Sequence, residues 1–293
     1  MYQNSISTRN EVVQLIIPFY LLIFFQCCFA VPSSAAEPGQ DNATKPYDVL
    51  RGEKLWYDID FWLFSKAARG SMTFEKHLNG YRAVFEAETC GVIKALTGHR
   101  KEVMESVMEY DREKKKLRPL LFQETFSQGD REIKKSLSFD YAQQTFTLTR
   151  ERNKEKISSM TRKLPVREFD DLLTFFFNLR TGHYGAAQEG KKFSVCVLAK
   201  EKPSNISVDF PVTDRRKKSG GKYFAVLSMD KDITQAHSKQ VTSWLTPDSI
   251  PTSGRVVDAY FFGDLEVTLK KRTFTQSGAA ATVTAPASPD TGS

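Results

Sequence analysis

The sequence predicts a mainly β protein: one large curved antiparallel sheet or open barrel, with a short buried helix against it. Three observations predict it. Apolar and polar residues alternate with a period of two through most of residues 50–273, which marks strands with one buried face. The connections between these runs are short, as antiparallel neighbours allow. One segment, near residues 170–182, breaks the alternation with apolar residues on nearly every helical face. No internal repeat or shift of composition divides this region, so it reads as one β-rich domain.

Residues 1–36 read as an export signal. An apolar run over residues 12–31 is broken only by Gln14, Pro18 and Gln26. Arg9 precedes it, and Ser33, Ser34, Ala35 and Ala36 follow, which is the order of a secretory signal peptide. The run is also long enough for an uncleaved membrane anchor, although Pro18 and the small residues favour cleavage. Acylation at Cys27 or Cys28 is disfavoured, because Gln26 or Cys27 stands where a small residue is wanted. Each version places the rest of the chain outside the cytoplasm. Residues 37–49 form a polar linker, and residues 274–293 a tail too poor in apolar groups to order itself.

Within the domain, Leu55, Tyr57, Ile59 and Phe61 alternate with Trp56, Asp58, Asp60 and Trp62. Gly70, Met72 and Phe74 continue the pattern, and Asn79-Gly80 is a hairpin turn into a strand over 81–87. Further strands are expected over 103–110, 120–126, 133–139, 145–150, 193–199, 206–210, 223–227, 241–245 and 265–269. The helix opens after Asp170 and Asp171 and closes at Arg180, with Gly182 beyond. One aspartate caps it; the other is expected in solvent. A helix apolar all round belongs across the concave face of the sheet or plugging one end.

Composition narrows the chemistry. The net charge is +7, with only four Cys and four His among 293 residues. A disulfide-dense scaffold and a Cys/His metal cluster are therefore excluded. Cys90 and Cys196 fall in the exported part, and whether they pair depends on geometry. His77, His99, His183 and His237 lack ligand spacing and read as surface residues. No nucleophile elbow or phosphate-binding glycine loop occurs. No catalytic, cofactor or metal residue is assigned, and the chain is expected not to be an enzyme. The most enzyme-like patch is Asp58 and Asp60 beside Trp56 and Trp62, since aromatics beside acids are common in sugar-binding clefts; an outward strand face explains it more simply.

Two basic runs, Arg112, Lys114, Lys115, Lys116 and Arg118, then Arg215, Arg216, Lys217 and Lys218, fall between strands. They read as solvated loop tips or as an adhesive for anionic membrane, with Lys114, Lys115, Lys116, Arg215 and Arg216 the candidate contacts. Export disfavours nucleic acid. The chain also carries 22 Phe, 10 Tyr and 3 Trp. Either these fill the barrel, or they surround a lipid or other apolar ligand, with Phe175, Phe176, Phe177 and Trp244 lining its site.

Several segments together resemble a bacterial family of exported proteins, domain of unknown function 3108. They are Gly52-Glu53-Lys54-Leu55-x-Tyr57, Arg118-Pro119-Leu120, Ser138-Phe139-Asp140-Tyr141, Asp170-Asp171-Leu172-Leu173 through Leu179-Arg180, Trp244-Leu245-Thr246-Pro247-Asp248, and Gly263-Asp264-Leu265. The family usually has Asp-Pro where Asp170-Asp171 stands. The likeness spans roughly residues 50–272. It implies a Gram-negative envelope location and an open-barrel β fold comparable to periplasmic lipoprotein carriers. It implies no reaction and transfers no functional residues. The resulting expectation is a non-enzymatic periplasmic or envelope module that binds an apolar ligand. An assembly protein that meets anionic membrane through basic loops is the alternative, and a polysaccharide-acting enzyme the remote one. The oligomeric state is left open.

Overall fold

In the computed structural model the alternating segments become one antiparallel sheet of fourteen strands whose two edges do not pair. The structure describes residues 46–198, 202–213, 221–230, 240–257, 259 and 263–275. The export segment, residues 37–45 of the linker, residues 276–293 of the tail, Arg215, Arg216 and His237 lie outside the described residues.

The first eight strands are β1 (Glu53–Phe61), β2 (Phe64–His77), β3 (Gly80–Thr89), β4 (Arg100–Asp111), β5 (Lys116–Gln128), β6 (Arg131–Asp140), β7 (Thr145–Arg152) and β8 (Glu155–Lys163). They meander outward from the middle of the sheet to one edge. The other six are β9 (Lys192–Val197), β10 (Ser204–Asp209), β11 (Tyr223–Met229), β12 (Gln240–Leu245), β13 (Pro251–Val256) and β14 (Leu265–Phe274). These begin at the far edge and return, so that β14 pairs with β1. The chain therefore has to cross from β8 to β9, and that crossing carries helix α2 (Leu172–Arg180). A shorter helix, α1 (Gly91–Thr97), joins β3 to β4.

Helix α2 has the ends expected of it. Asp171 is the N-cap, its Oδ1 accepting the Thr174 N–H at 2.7 Å, and Arg180 is the last residue. All nine helical residues are buried. Such a helix has no face for water, and it lies against β3, β4 and β5 on one side and β9 on the other. The residue before its cap is stitched to an edge of the sheet. The Asp170 N–H donates to the Cys196 carbonyl at 3.1 Å, and Leu198 N–H donates to the Asp170 carbonyl at 2.8 Å. The crossover thus fastens onto the free side of β9.

One apolar cluster runs through the concave side, from Tyr47 through Leu55, Phe85, Phe122 and α2 to Val208 and Val267. The sheet is not uniform. Strand β1 has the burial rhythm of a one-sided strand, whereas β8 is exposed along nearly its whole length on both faces. Strands β6, β7 and β8 form a wing that the crossover covers only in part.

Candidate functional site

Two buried charge clusters fix the ends of α2. At its N-terminus, the Asp170 carboxylate is fully buried and meets the Lys116 ammonium at 3.1 Å. Tyr184 Oη and Asn178 Nδ2 also donate to Asp170, the latter at 3.0 Å. Asn178 is itself saturated: its Oδ1 accepts from Tyr47 Oη at 2.7 Å and Leu117 N–H at 2.8 Å, and its Nδ2 also reaches the Leu117 carbonyl. A buried charge survives only with such partners. Burial pushes the Tyr184 phenol well above its ordinary pKa and keeps it a donor. Next to it, burial raises Asp171 from 3.8 to about 7, although Ser106 Oγ at 2.5 Å and the Thr174 N–H and hydroxyl oppose the rise. At the C-terminal end, Arg180 holds Glu53 through its two terminal guanidinium nitrogens, and Arg272 bridges Glu53 at 2.9 Å to Asp248 at 2.6 Å. Glu53, Asp170, Arg180 and Asp248 all lie in the segments that carried the family resemblance, so those segments meet around one helix.

Four expectations are corrected here. Asp170 is not in solvent; it is the counter-charge of Lys116. Lys116 is not a loop tip. It starts β5, points inward and is 7% exposed, so it is no membrane contact. Its loop neighbours Lys114 and Lys115 are exposed, with Lys114 bound to Glu168 at 2.6 Å. Phe175, Phe176 and Phe177 are at most 1% exposed, and Phe177 lies 4.2 Å from the ring centre of Phe74. They are core packing, and a ligand could reach them only by displacing α2. Trp244 does not join them. It is opposite Phe224 and Ser253, whereas Ser243 is opposite Gly254, which pairs with Val267 of the concave face. Period-two parity therefore sends Trp244 to the outer face, where it packs on Phe224 at 5.2 Å.

The concave face stays open farther down, and register locates the opening. The row Ser106, Phe122, Leu137, Leu148, Met160 crosses β4 to β8 and is buried until Met160, which is 41% exposed. The next row is Met104, Glu124, Lys135, Arg150 and Ser158, and the one below it Glu102, Phe126, Ile133 and Arg152. Phe126, Ile133 and Lys135 are half-buried, and Arg150 and Arg152 are exposed. Glu124 meets Lys135 at 3.6 Å. At the inner end, Arg100 and Glu102 form a buried pair, with the Arg100 guanidinium 4.7 Å from the Phe126 ring centre. The result is a half-open trough in which Phe126 and Ile133 lie on one side, and Met160 on the other, of a charged row of Glu124, Lys135 and Arg150, with Arg152 beside Ile133. Residues 131–163 carry nine basic and four acidic side chains, a large part of the chain's +7. This face is not legible in the sequence, because charges stand on both sides of β6 to β8 and obscure which side is the inner one.

The remaining expected residues are scattered. Cys90 and Cys196 are free thiols, each half-buried, and burial raises both. His99 and His183 are exposed and His77 half-buried. Asp58 and Asp60 share the outer face of β1. Asp58 is opposite Arg69 and Thr268 and lies 3.8 Å from Lys270, whereas Asp60 lines a separate surface pocket with Trp62. Among the described residues no group of His, Cys, Asp and Glu could hold a metal ion, and no helix is long and apolar enough to cross a membrane.

The family model described as "Protein of unknown function (DUF3108)" matches residues 57–270. No curated protein matches the chain. Among solved structures, a candidate exported protein with a YmcC-like fold from Bacteroides fragilis aligns at 9% identity. The alignment covers 76% of this chain and 96% of that one, with a TM-score of 0.27.

Proposed function

The chain belongs to the DUF3108 family, and we propose that it is an exported, non-enzymatic β module that holds a lipid with an anionic head in the trough of its concave face. The apolar run of residues 12–31 and the small residues after it support export to the periplasm or envelope. The observation that carries the binding reading is the interleaving, on one face, of open apolar side chains, Phe126, Ile133 and Met160, with the cations Lys135, Arg150 and Arg152. An acyl chain lies on the first set and its carboxylate or phosphate meets the second, which supplies both burial and orientation.

The test is displacement of a fluorescent fatty acid from the full chain by oleate and by oleyl alcohol. Oleate should compete at least about tenfold better, the factor that one charge-assisted contact provides. The Lys135→Glu, Arg150→Glu double variant should lose that advantage while keeping its thermal midpoint. Equal competition by acid and alcohol, or an unaffected double variant, would sink the reading. The cationic excess of residues 131–163 also favours a second reading, adhesion to an anionic membrane surface. Co-sedimentation with phosphatidylglycerol vesicles in the absence of oleate binding would select it.

A further inference from the structure

On the outer face, away from the trough, a pocket of about 600 Å³ opens beside the β1–β2 turn. We propose that it is a binding site for a neutral or amino-substituted pyranose ring of a saccharide. The turn itself is the first reason. Phe61 pairs with Phe64, so Trp62 and Leu63 alone connect the two strands. A two-residue hairpin turn favours Asn-Gly or a glycine, because its backbone enters the left-handed region. Here Trp62 adopts φ +52 instead, and Trp62 and Leu63 are 57% and 75% exposed. Backbone strain at a bulky residue, spent on presenting two large apolar side chains to water, is a mark of a binding surface.

The second reason is that the indole is held from below and open above. Below it, the Trp62 main-chain N–H donates to the Asp264 carbonyl at 2.9 Å. Gly263, at φ +152, lies so close that a Cβ there would stand 2.7 Å from Trp62 Cδ1 and 2.9 Å from its Cβ and Cγ. Only glycine lets the ring settle against the backbone. Around this platform stand Asp60, Ser65, Arg255, Asp264 and Glu266. Arg255 Nε reaches Asp264 at 3.0 Å and Glu266 at 3.5 Å, and one Asp60 oxygen accepts the Lys66 N–H at 2.6 Å. These planar polar groups are fixed in place before any ligand arrives.

A fixed aromatic face beside fixed carboxylate and guanidinium groups matches a pyranose. Its C–H face packs on the ring, and its hydroxyls donate to carboxylates and accept from the guanidinium. Three carboxylates against one arginine leave the lining anionic, which disfavours uronic acids and accepts a neutral or ammonium-bearing sugar. The site lies on the opposite face from the lipid trough, so the failure of either proposal leaves the other standing.

Intrinsic fluorescence of the full chain, titrated with chitotriose, cellotriose, maltotriose and tri-galacturonate to about 10 mM, tests it. At least one neutral or amino-sugar trimer should shift the emission, and tri-galacturonate should not. For that trimer, Trp62→Tyr should bind within about threefold by calorimetry, and Trp62→Ala at least about tenfold more weakly, at an unchanged thermal midpoint. Gly263→Ala, which pushes the indole off its seat, should weaken binding like Trp62→Ala. No response to any neutral or amino trimer, tri-galacturonate binding as tightly as the best of them, or Trp62→Ala binding like the parent, would overturn the assignment.

Discussion

The sheet contains two regions with the same antiparallel pairing and opposite fates. Around α2, strands β1 to β5 and β9 turn one face onto a packed helix, and even the charges there, Glu53, Lys116, Asp170 and Arg180, are buried in pairs. In the wing, β8 pairs with β7 along its length, with one register shift, yet stays exposed on both sides. Strand pairing alone does not make a core. The crossover from β8 to β9 does, because α2 covers what it lies on and leaves the rest of the concave face half open. Stability should therefore concentrate under α2 and binding in the wing, and substitutions can separate the two.

The largest effect is expected at the centre of the covered half. Phe177 is fully buried against Phe74 and Phe176. Phe177→Ala should cost about 4 kcal/mol in urea unfolding, the usual result of an aromatic-sized cavity in a tight core. A loss under about 1 kcal/mol would mean that α2 is not packed as described. The next contrast sits where one loop ends and β5 begins. Lys116→Met strands the Asp170 carboxylate without its cation and should cost about 3 kcal/mol. Lys115→Met, one residue away and exposed, should stay within about 0.5 kcal/mol.

That loop also shows what a sequence can and cannot convey. Strands with one wet face, such as β1 and β4, announce themselves by alternation, and α2 by its cap and its all-round apolar pattern. Strand β8 escapes because neither of its faces is buried, β13 because Pro251 and Gly254 interrupt it, and α1 because it is only seven residues long. Lys116 is indistinguishable from Lys115 in the sequence; only a partner 54 residues away tells them apart. Trp244 was open to a finer reading, since Val241, Ser243 and Leu245 already claim the inward parity of β12. The outer-face pocket was half legible: Asp60 and Trp62 stood out, but Arg255, Gly263 and Asp264 reach them only through the β1–β14 and β13–β14 pairings.

A smaller effect, with a definite sign, should come from Asp171. Burial raises its folded-state pKa to about 7, against 3.8 for an ordinary aspartate in the unfolded chain. Below about pH 3.8 both states hold the proton and the group costs nothing. Between 3.8 and about 7 the unfolded chain releases it while the folded chain keeps it, so this contribution to stability falls as pH rises, then levels off. Asp171→Asn keeps an N-cap acceptor and removes the titration. The difference in unfolding free energy between variant and parent should grow in the variant's favour from pH 4 to pH 7. A difference independent of pH would show that Asp171 ionises normally and that the N-terminus of α2 is wetter than described.

The smallest stability effect should be in the wing, and there smallness is the point. Met160 ends a row whose inner members, Phe122, Leu137 and Leu148, are buried, yet it is itself 41% exposed. Its removal creates no closed cavity, because water already reaches the site and β8 has no covering element to collapse or strain. Met160→Ser should change unfolding free energy by less than about 0.5 kcal/mol, as surface substitutions do. The same change takes apolar area from the floor of the trough. If an acyl chain lies there, losing roughly two buried methylenes' worth of contact, at about 0.8 kcal/mol each, should weaken oleate competition about tenfold. Stability held and binding weakened would place the ligand on the wing. Both unchanged would leave the wing with its cationic side chains alone, the arrangement that suits a membrane surface rather than a single lipid.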